Sequence, residues 1–134
     1  MKMVKFFARI YLRKTELEAY KKFYMALQGV DRLLHHEFYY EAFRLDLVAI
    51  GNIMLIAGDK ADTEQFEATK LTWVVEELDA VRAYLIQAGV KIINDVKVVP
   101  SGQNMRAMLP DGTIAEYVEH NDDFKRMMAG NAYD

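Results

Sequence analysis

The sequence has no cysteine, few glycines, no excess of positive charge and no long apolar segment, and each of these features argues against a class of function. Without cysteine, the 134-residue chain can form neither a disulfide nor a thiolate metal site, and it has no cysteine nucleophile. Its 7 glycines are too scattered for a glycine-rich phosphate-binding loop. The chain has 17 Lys and Arg and 20 Asp and Glu, and the resulting net charge of −3 gives no support to a nucleic-acid partner. The longest apolar window, residues 47–57, is too short to span a bilayer.

The residues that are present are typical of a folded globular protein. Hydrophobic residues make up 52% of the chain and charged residues 28%, which suits one domain with its own core. The first residues lack the apolar segment of a signal peptide, and the absence of cysteine suits the cytoplasm. We therefore expect a single domain over residues 1–134, a cytoplasmic location and no membrane partner.

The first part of the chain predicts a strand, a helix and three further strands. Residues 4–13 alternate between apolar and polar side chains, as a β-strand does. Thr15 and Glu18 have the spacing of a capping box, which predicts a helix start, and apolar residues at helical spacing continue to Leu27. Gly29 follows where a C-cap glycine is expected. The predicted strands that complete this first βαβββ module, about residues 4–58, are 32–40, 43–50 and 53–57.

A polar crossover over residues 59–68 leads into a second run with the same order. Residues 70–76 are β-branched and aromatic, as in a strand, and residues 78–88 have helical spacing up to Gly89. The strands predicted to complete the second module, about residues 69–120, are 90–99, 104–109 and 113–119. In the polar tail, residues 121–134, we expect a helical turn around Phe124 to Met128.

The two runs indicate an internal duplication. When the sequence is shifted along itself so that Leu17 falls on Leu78, Gly51 also falls on Gly112, so one shift matches both a helix and a turn. The same shift pairs two further sets of residues that matter for function: Arg9 with Lys70, and Leu55 with Glu116.

One carboxylate, Glu116, stands among apolar residues in a predicted strand. The strand follows the tight turn Pro110-Asp111-Gly112, in which proline presets φ and glycine supplies the conformation that a Cβ disfavours. Burying a carboxylate is costly unless another group pairs with it. The partner of Glu116 is therefore the central question for function.

The chain resembles the glyoxalase/bleomycin-resistance/extradiol-dioxygenase superfamily, also called the vicinal oxygen chelate superfamily. The resemblance covers about residues 4–120. It is carried by three segments: Arg9-Ile10-Tyr11-Leu12 leading through Leu17 to Phe23-Tyr24, the strand and helix from Lys70 to Gly89, and Pro110-Asp111-Gly112 with Glu116. It implies an α+β fold of two βαβββ modules that form a curled mixed sheet around a cleft, with helices on the outer face.

In metal-using members of that superfamily, the first and last strands of each repeat supply the metal ligands. The resemblance places these four positions at Arg9, Lys70, Leu55 or its neighbours, and Glu116. Arg and Lys lack a lone pair for a cation at neutral pH, and one carboxylate alone does not make a divalent site. We therefore expect neither the family metal nor another cofactor.

The substitutions suggest a charged group in place of the metal. Arg9 and Lys70 could pair with Glu116 and leave about one positive charge for an anionic or carbonyl-bearing ligand. Tyr11 shares a strand face with Arg9, and Thr72 shares one with Lys70. Tyr39 and Arg106 are further candidates for lining the cleft. The competing interpretation is a purely structural ion-pair group.

Three functions remain open from the sequence. The first is a metal-independent small-molecule-binding protein, and the second is a glyoxalase-like lyase or isomerase with Glu116 as general base. The third is a non-catalytic homologue whose cleft is filled by its own side chains. By resemblance and by the need to cover sheet edges, we also expect a homodimer.

The histidines give weaker signals than Glu116. Adjacent strand residues face opposite sides, so of His35, His36 and Glu37 only His35 and Glu37 could share a site. Two ligands are too few for a metal centre. We expect His120 to lie exposed in the tail, and Trp73 to pack in the core beneath a helix.

Overall fold

A computed structural model describes residues 1–128 and shows an α+β protein with two βαβββ modules, which confirms the predicted fold class. The elements in chain order are β1 (Met3–Leu12), α1 (Leu17–Gln28), β2 (Leu34–Tyr40), β3 (Phe43–Ile50), β4 (Ile53–Ala57), α2 (Lys60–Thr63), β5 (Thr69–Val75), α3 (Leu78–Gln87), β6 (Lys91–Val99), β7 (Gly102–Met108), β8 (Ile114–His120) and α4 (Asp122–Met128). Part of the predicted tail, residues 129–134, lies outside the described residues.

The chain packs as two compact units, and each has its own hydrophobic core. The first unit comprises residues 7–68, and the second comprises residues 1–6 with residues 69–127. In the first, β4 pairs in parallel with β1 and antiparallel with β3, which also pairs with β2. In the second, β8 pairs in parallel with β5 and antiparallel with β7, which also pairs with β6.

In the first unit, α1 covers one face of the sheet. Buried Leu17 at its start packs with Leu55 and Val48 of the strands, so alternate strand residues face this helix and the others face away from it. The helix ends at Gly29, whose φ of 65° is left-handed, as the sequence predicts.

The predicted capping box at the start of α1 is wrong. A 3-10 turn over Lys14–Glu16 precedes the helix, and the backbone N–H of Arg13 donates to Glu16 Oε1 at 2.9 Å. Glu18 instead pairs with Lys21, at 3.1 Å. The turn therefore begins at Arg13, two residues before Thr15, and Thr15 does not cap the helix.

The second unit repeats this arrangement with α3. Leu78 and Val81 of the helix pack against Ala107 of β7 and Ala115 and Tyr117 of β8. Trp73 packs at the edge of the same core, as predicted. Its ring centroid lies 4.7 Å from that of Phe6, and the Glu76 N–H donates to the carbonyl of Lys2, so residues 1–6 belong to this unit.

The expectation that His120 is exposed is wrong. His120 is the last residue of β8, is only 8% exposed, and stacks at 4.3 Å on Phe124 of α4. Asn121 caps α4 by accepting the Phe124 N–H, and its own amide group donates to the carbonyl of Pro100. These contacts hold the start of the expected tail against the β6–β7 turn.

No helix within residues 1–128 combines the length and the apolar character that crossing a membrane requires.

Candidate functional site

Four polar residues lie side by side across the sheet of the second unit. Asn94 of β6 lies opposite Arg106 of β7, Arg106 lies opposite Glu116 of β8, and Glu116 is paired with Thr72 of β5. Residues that lie directly opposite each other share a face of the sheet. We call Asn94, Arg106, Glu116 and Thr72 the polar row.

The polar row lies on the face of the sheet that points away from α3. Its members alternate along their strands with core residues such as Ala107 and Ala115, which pack against that helix. On either side of the row this face carries apolar and polar residues together: Met108, Ile114 and Thr69 on one side, and Val118, Val74 and Asn104 on the other. A ligand that lies across these strands would therefore meet the polar row and flanking apolar side chains.

Two uncharged side chains donate hydrogen bonds to the carboxylate of Glu116. Thr72 Oγ1 donates to Glu116 Oε1 at 3.4 Å, and Asn104 Nδ2 donates to Glu116 Oε2 at 3.2 Å. Thr72 is buried and Glu116 is half-buried, so the carboxylate has a defined position. Two donors on two different strands therefore orient its oxygens.

The guanidinium of Arg106 is oriented in the same way. Its Nε donates to Asn94 Oδ1 at 2.7 Å, and its Nη1 donates to Thr69 Oγ1 at 2.8 Å. Thr69 lies on β5, opposite Ile114 of β8, so the Arg106 side chain reaches across β8. A cation and an anion thus occupy neighbouring strands, and each has two hydrogen bonds to neutral side chains.

Lys70 lies at a bulge in β5. The pairing of β5 with β8 shifts between Thr69 and Leu71, and Lys70 is the extra residue, with an exposed side chain. The residue paired with Glu116 is therefore Thr72, two positions further along the strand. The predicted approach of Lys70 to Glu116 stays a prediction.

Arg9 and Tyr11 lie in the first unit, on the sheet face that points away from α1. Arg9 Nη1 donates to the Tyr11 hydroxyl at 2.9 Å, and that hydroxyl donates to the Phe66 carbonyl at 2.5 Å. The two residues alternate with Ile10 and Leu12, which pack against the helix. The structure thus brings Arg9 and Tyr11 together, and ties both to the crossover segment.

Tyr39 lies on the opposite sheet face from Arg9 and Tyr11, and its predicted contact with a ligand stays a prediction. It pairs with Arg44 of β3, on the face that carries Val48 and therefore packs against α1. Its ring is 48% exposed, with Arg44 at 5.4 Å from the ring centroid. Side chains alternate along β2 as the sequence predicts. The sequence does not reveal which of the two faces of this edge strand α1 covers.

His35 also lies on this opposite face. Its Nε2 is 2.9 Å from Asp46 Oδ1, and Lys14 approaches Asp46 at 3.9 Å. The neighbouring His36 is half-buried, and this burial lowers its pKa. The group has no third ligand for a metal ion, consistent with the absence of any cluster of three His, Asp or Glu ligands among residues 1–128.

A separate depression lies at the end of the second unit's sheet. It has a volume of about 250 Å³ and is lined by residues of the β6–β7 turn and of β8, including Val99, Gly102 and His120. Its wide mouth and mainly apolar lining give it little chemistry of its own. The polar row, with two oppositely charged groups, is the better candidate site.

The sequence missed Asn94, Asn104 and Thr69 as parts of the site. Asn104 alternates with Arg106, so the period of two along β7 could have identified it. Asn94 and Thr69 are brought to this face by bulges in β6 and β5, which leave no clear mark in the sequence.

Comparisons with known proteins agree on the fold. Methylmalonyl-CoA epimerase from Mycobacterium tuberculosis is 19% identical, with a TM-score of 0.62 over 92% of this chain and 93% of its own. A mutant 4-hydroxymandelate synthase from Streptomyces coelicolor is 15% identical, with a TM-score of 0.59 over 90% of this chain and 49% of its own. An uncharacterized protein from Methanosarcina mazei is 31% identical, with a TM-score of 0.78 over 90% of this chain and 95% of its own. The chain therefore shares the fold of the epimerase and of the synthase.

The shared fold leaves the reaction open. No protein-family model and no curated protein matches the sequence. The similarity to the epimerase and to the synthase is below 25% identity, so it concerns the fold alone. Function must therefore be argued from the side chains of this chain.

The residues at the superfamily's metal positions do not fit a divalent ion. Arg9 is a hydrogen-bond donor to Tyr11, and neither a guanidinium nor an ammonium such as that of Lys70 offers a lone pair. Leu55 is fully buried and faces α1, and its neighbour Met54, on the other face, has a thioether that suits softer metals. Glu116 is then the single hard oxygen ligand among the four positions, which is too few for such a site.

Proposed function

We propose that this chain is a small-molecule-binding protein whose ligand contacts the polar row without help from a metal ion. The observation that carries the proposal is the row itself: Arg106 and Glu116 lie directly opposite each other on neighbouring strands, and each has hydrogen bonds to neighbouring polar side chains. Charged groups on the face of a sheet carry a desolvation cost. A ligand that offers both an acceptor and a donor would offset this cost.

The two charges define complementary contacts. A guanidinium has five N–H donors, and Asn94 and Thr69 accept two of those of Arg106. The other donors suit a carboxylate, phosphate or carbonyl oxygen of the ligand. The Glu116 carboxylate suits a hydroxyl or amino group of the same ligand. The flanking apolar residues would contact its carbon skeleton.

A second candidate, a lyase or isomerase, is favoured by the same pair of charges. Glu116 would remove a proton from a carbon next to a carbonyl group, and Arg106 would stabilise the negative charge that develops on the carbonyl oxygen. The two candidates differ in what Glu116→Gln does. A binding protein loses affinity in proportion to one hydrogen bond, whereas an enzyme loses turnover by orders of magnitude.

The proposal is tested by screening small carboxylates, phosphates, oxo acids and neutral amides for thermal stabilisation, followed by calorimetric titration. We expect at least one class to bind the wild-type protein, and to bind Glu116→Gln and Arg106→Gln about tenfold more weakly. The matched control is Arg82→Gln, because Arg82 lies on α3 and pairs with Asp95 on the other face of the sheet. Equal binding by all four proteins, or no binding by the wild type, would reject the proposal.

We propose in addition a cytoplasmic homodimer. β2 is an edge strand of the first unit's sheet and β6 is an edge strand of the second unit's sheet, and an exposed edge is a ready surface for pairing. Sedimentation equilibrium would show a species of twice the 15.5 kDa chain mass, whereas a single 15.5 kDa species at micromolar concentration would rule the dimer out.

A further inference from the structure

The edge strand β2 is regular along its whole length. Its residues pair with β3 from Leu34, opposite Ala49, to Tyr40, opposite Phe43, and the register does not shift between them. The strand contains no proline and no lysine, which commonly keep an exposed edge from pairing with another strand. Glu37 is its single acidic residue. An edge of this kind is a template for a further strand.

The edge strand β6 of the second unit differs in both respects. Its pairing with β7 shifts twice, between Ile92 and Asn94 and between Asn94 and Lys97. Bulges of this kind twist an edge, and charged side chains along it oppose pairing. Three of the nine residues of β6 are charged, namely Lys91, Asp95 and Lys97. Of these two edges, β2 is therefore the better surface for pairing.

The turn after β2 indicates which of its backbone groups face the free edge. Tyr40 and Phe43 flank a two-residue turn, so they form a hydrogen-bonded pair, and the other even-numbered residues of β2 bond to β3 in the same way. The N–H and C=O groups of the odd-numbered residues, His35, Glu37 and Tyr39, therefore point to the free edge. The side chains of these three residues are exposed as well. A partner strand can thus reach both the backbone and the side chains.

We propose that two copies of the chain associate by pairing β2 of one copy with β2 of the other, antiparallel and around a twofold axis. This inference rests on the homodimer of the proposed function and specifies its interface. A second copy fits because a twofold axis presents each strand with an identical and equally regular edge. The odd-numbered residues of the two strands then exchange backbone hydrogen bonds.

Charge limits the position of the twofold axis. An axis at Glu37 would place this carboxylate directly opposite the partner's Glu37, and like charges directly opposite each other destabilise a pair of strands. An axis at His36 places Glu37 opposite the partner's His35, and an axis at Phe38 places it opposite the partner's Tyr39. Neither side chain repels a carboxylate. The residue at the axis then lies opposite its own copy as a non-hydrogen-bonded pair, with the two Cα atoms about 4.5 Å apart.

Introduced cysteines test this pairing directly, because the chain has no cysteine of its own. A distance of about 4.5 Å between Cα atoms is within the range that a disulfide spans. On air oxidation at micromolar concentration, His36→Cys or Phe38→Cys should give a covalent species of twice the 15.5 kDa chain mass on a non-reducing gel. The variant that cross-links identifies the position of the axis. Val98→Cys, at an exposed residue of β6, is the matched control and should remain a single chain over the same time.

Two substitutions at Glu37 test the non-covalent contact. Glu37→Lys adds a cation to the pairing edge of both copies, and Glu37→Pro removes an outward N–H that β3 does not use. Because a twofold axis makes each change act twice, each should raise the dissociation constant of the dimer about tenfold or more in sedimentation equilibrium. Val98→Lys, which adds the same cation to β6, should leave it unchanged. Thermal denaturation shows whether each variant is folded.

The two experiments separate failure of this interface from failure of the homodimer. If the protein is a dimer but neither cysteine variant of β2 cross-links, and the folded Glu37 variants keep the wild-type dissociation constant, this inference is overturned and the homodimer stands. Weakening by Val98→Lys alone would assign the interface to β6. Cross-linking of Val98→Cys as fast as that of the β2 variants would show random collisions and would also overturn it. If the wild type is a single 15.5 kDa species at micromolar concentration, both fail.

Discussion

At the residue scale, Tyr11 and Tyr39 differ in how much their hydroxyl groups contribute to the free energy of unfolding. The Tyr11 hydroxyl is half-buried and donates to the Phe66 carbonyl at 2.5 Å, whereas Tyr39 is 48% exposed at the edge of the sheet. Tyr11→Phe leaves that carbonyl without its donor, so we expect a loss of about 1 kcal/mol in the free energy of unfolding. Tyr39→Phe should change it by less than about 0.5 kcal/mol. Urea denaturation measures both, and equal losses would contradict the assignment.

A second prediction at this scale concerns the ion pair of Asp95 and Arg82. Two hydrogen bonds from Arg82 and one from the Val96 N–H lower the pKa of Asp95 from 3.8 to about 2. A depressed pKa means that the pair stabilises the fold above pH 3.8, and that this contribution disappears as the pH falls towards 2.

Arg82→Gln should therefore raise the pKa of Asp95 towards its ordinary value, as followed by NMR titration of the carboxyl carbon. Asp111 is the internal control, because its pKa is lowered by the Thr113 N–H and Arg82 takes no part in that bond. An unchanged Asp95 titration in the variant would show that the pair is absent in solution.

Single residues were also the scale at which the sequence offered the clearest candidates for the site. Glu116, Arg106 and Thr72 could be named from the sequence because a charge or hydroxyl in an apolar strand stands out. Their hydrogen-bond partners could not be named, because a neutral amide such as Asn94 lies next to another polar residue, Asp95, in the sequence and does not stand out from it. The sheet face on which Tyr39 lies could not be predicted, because the packing of α1 decides which face of the edge strand is covered.

At the scale of elements, the helices depend on a few buried positions. Leu78 begins α3 and is fully buried, whereas Leu27 near the end of α1 is 67% exposed. Leu78→Ala should lower the free energy of unfolding by about 2–5 kcal/mol through lost burial and a residual cavity. Leu27→Ala, the same change on an exposed surface, should cost less than about 0.5 kcal/mol. Chemical denaturation would contradict this packing if the two losses were similar.

The turn between β6 and β7 supplies another test. A Cβ on Gly102, where φ is 149°, would come within 2.1 Å of the Glu119 carbonyl oxygen, whereas one on Gly89, where φ is 80°, would meet no atom within 4 Å. Gly89→Ala should therefore cost only the strain of a left-handed backbone, about 1–2 kcal/mol. Gly102→Ala should cost clearly more, because the backbone of β8 must move. Similar midpoints in a urea titration would argue against the close approach of these strands.

Periodicity predicted every strand and both long helices, but it could not predict the pairing of the strands. The β3–β4 turn places Ile50 opposite Ile53, whereas the longer β7–β8 loop places Met108 opposite Ile114. One fixed shift of the sequence therefore cannot match both sheets residue by residue. This explains why Leu55, which the shift aligns with Glu116, faces a helix while Glu116 faces away from one.

At the scale of the whole molecule, the duplication is visible in two separate cores. One core is built on α1 with β3 and β4, and the other on α3 with β7 and β8. The two modules have similar cores but different polar residues on the sheet faces that point away from the helices. The fold therefore allows the residues on these faces to differ. The first unit carries Arg9 and Tyr11 on its outward face, and the second carries the polar row.

The most direct test of the central claim is a crystal structure of the protein with the tightest ligand from the thermal screen. We predict that the ligand lies across β7 and β8, with an oxygen within hydrogen-bonding distance of Arg106 and with a hydrogen-bond donor next to the Glu116 carboxylate. A ligand bound instead in the depression beside Gly102 and His120, with no contact to Arg106 or Glu116, would contradict it.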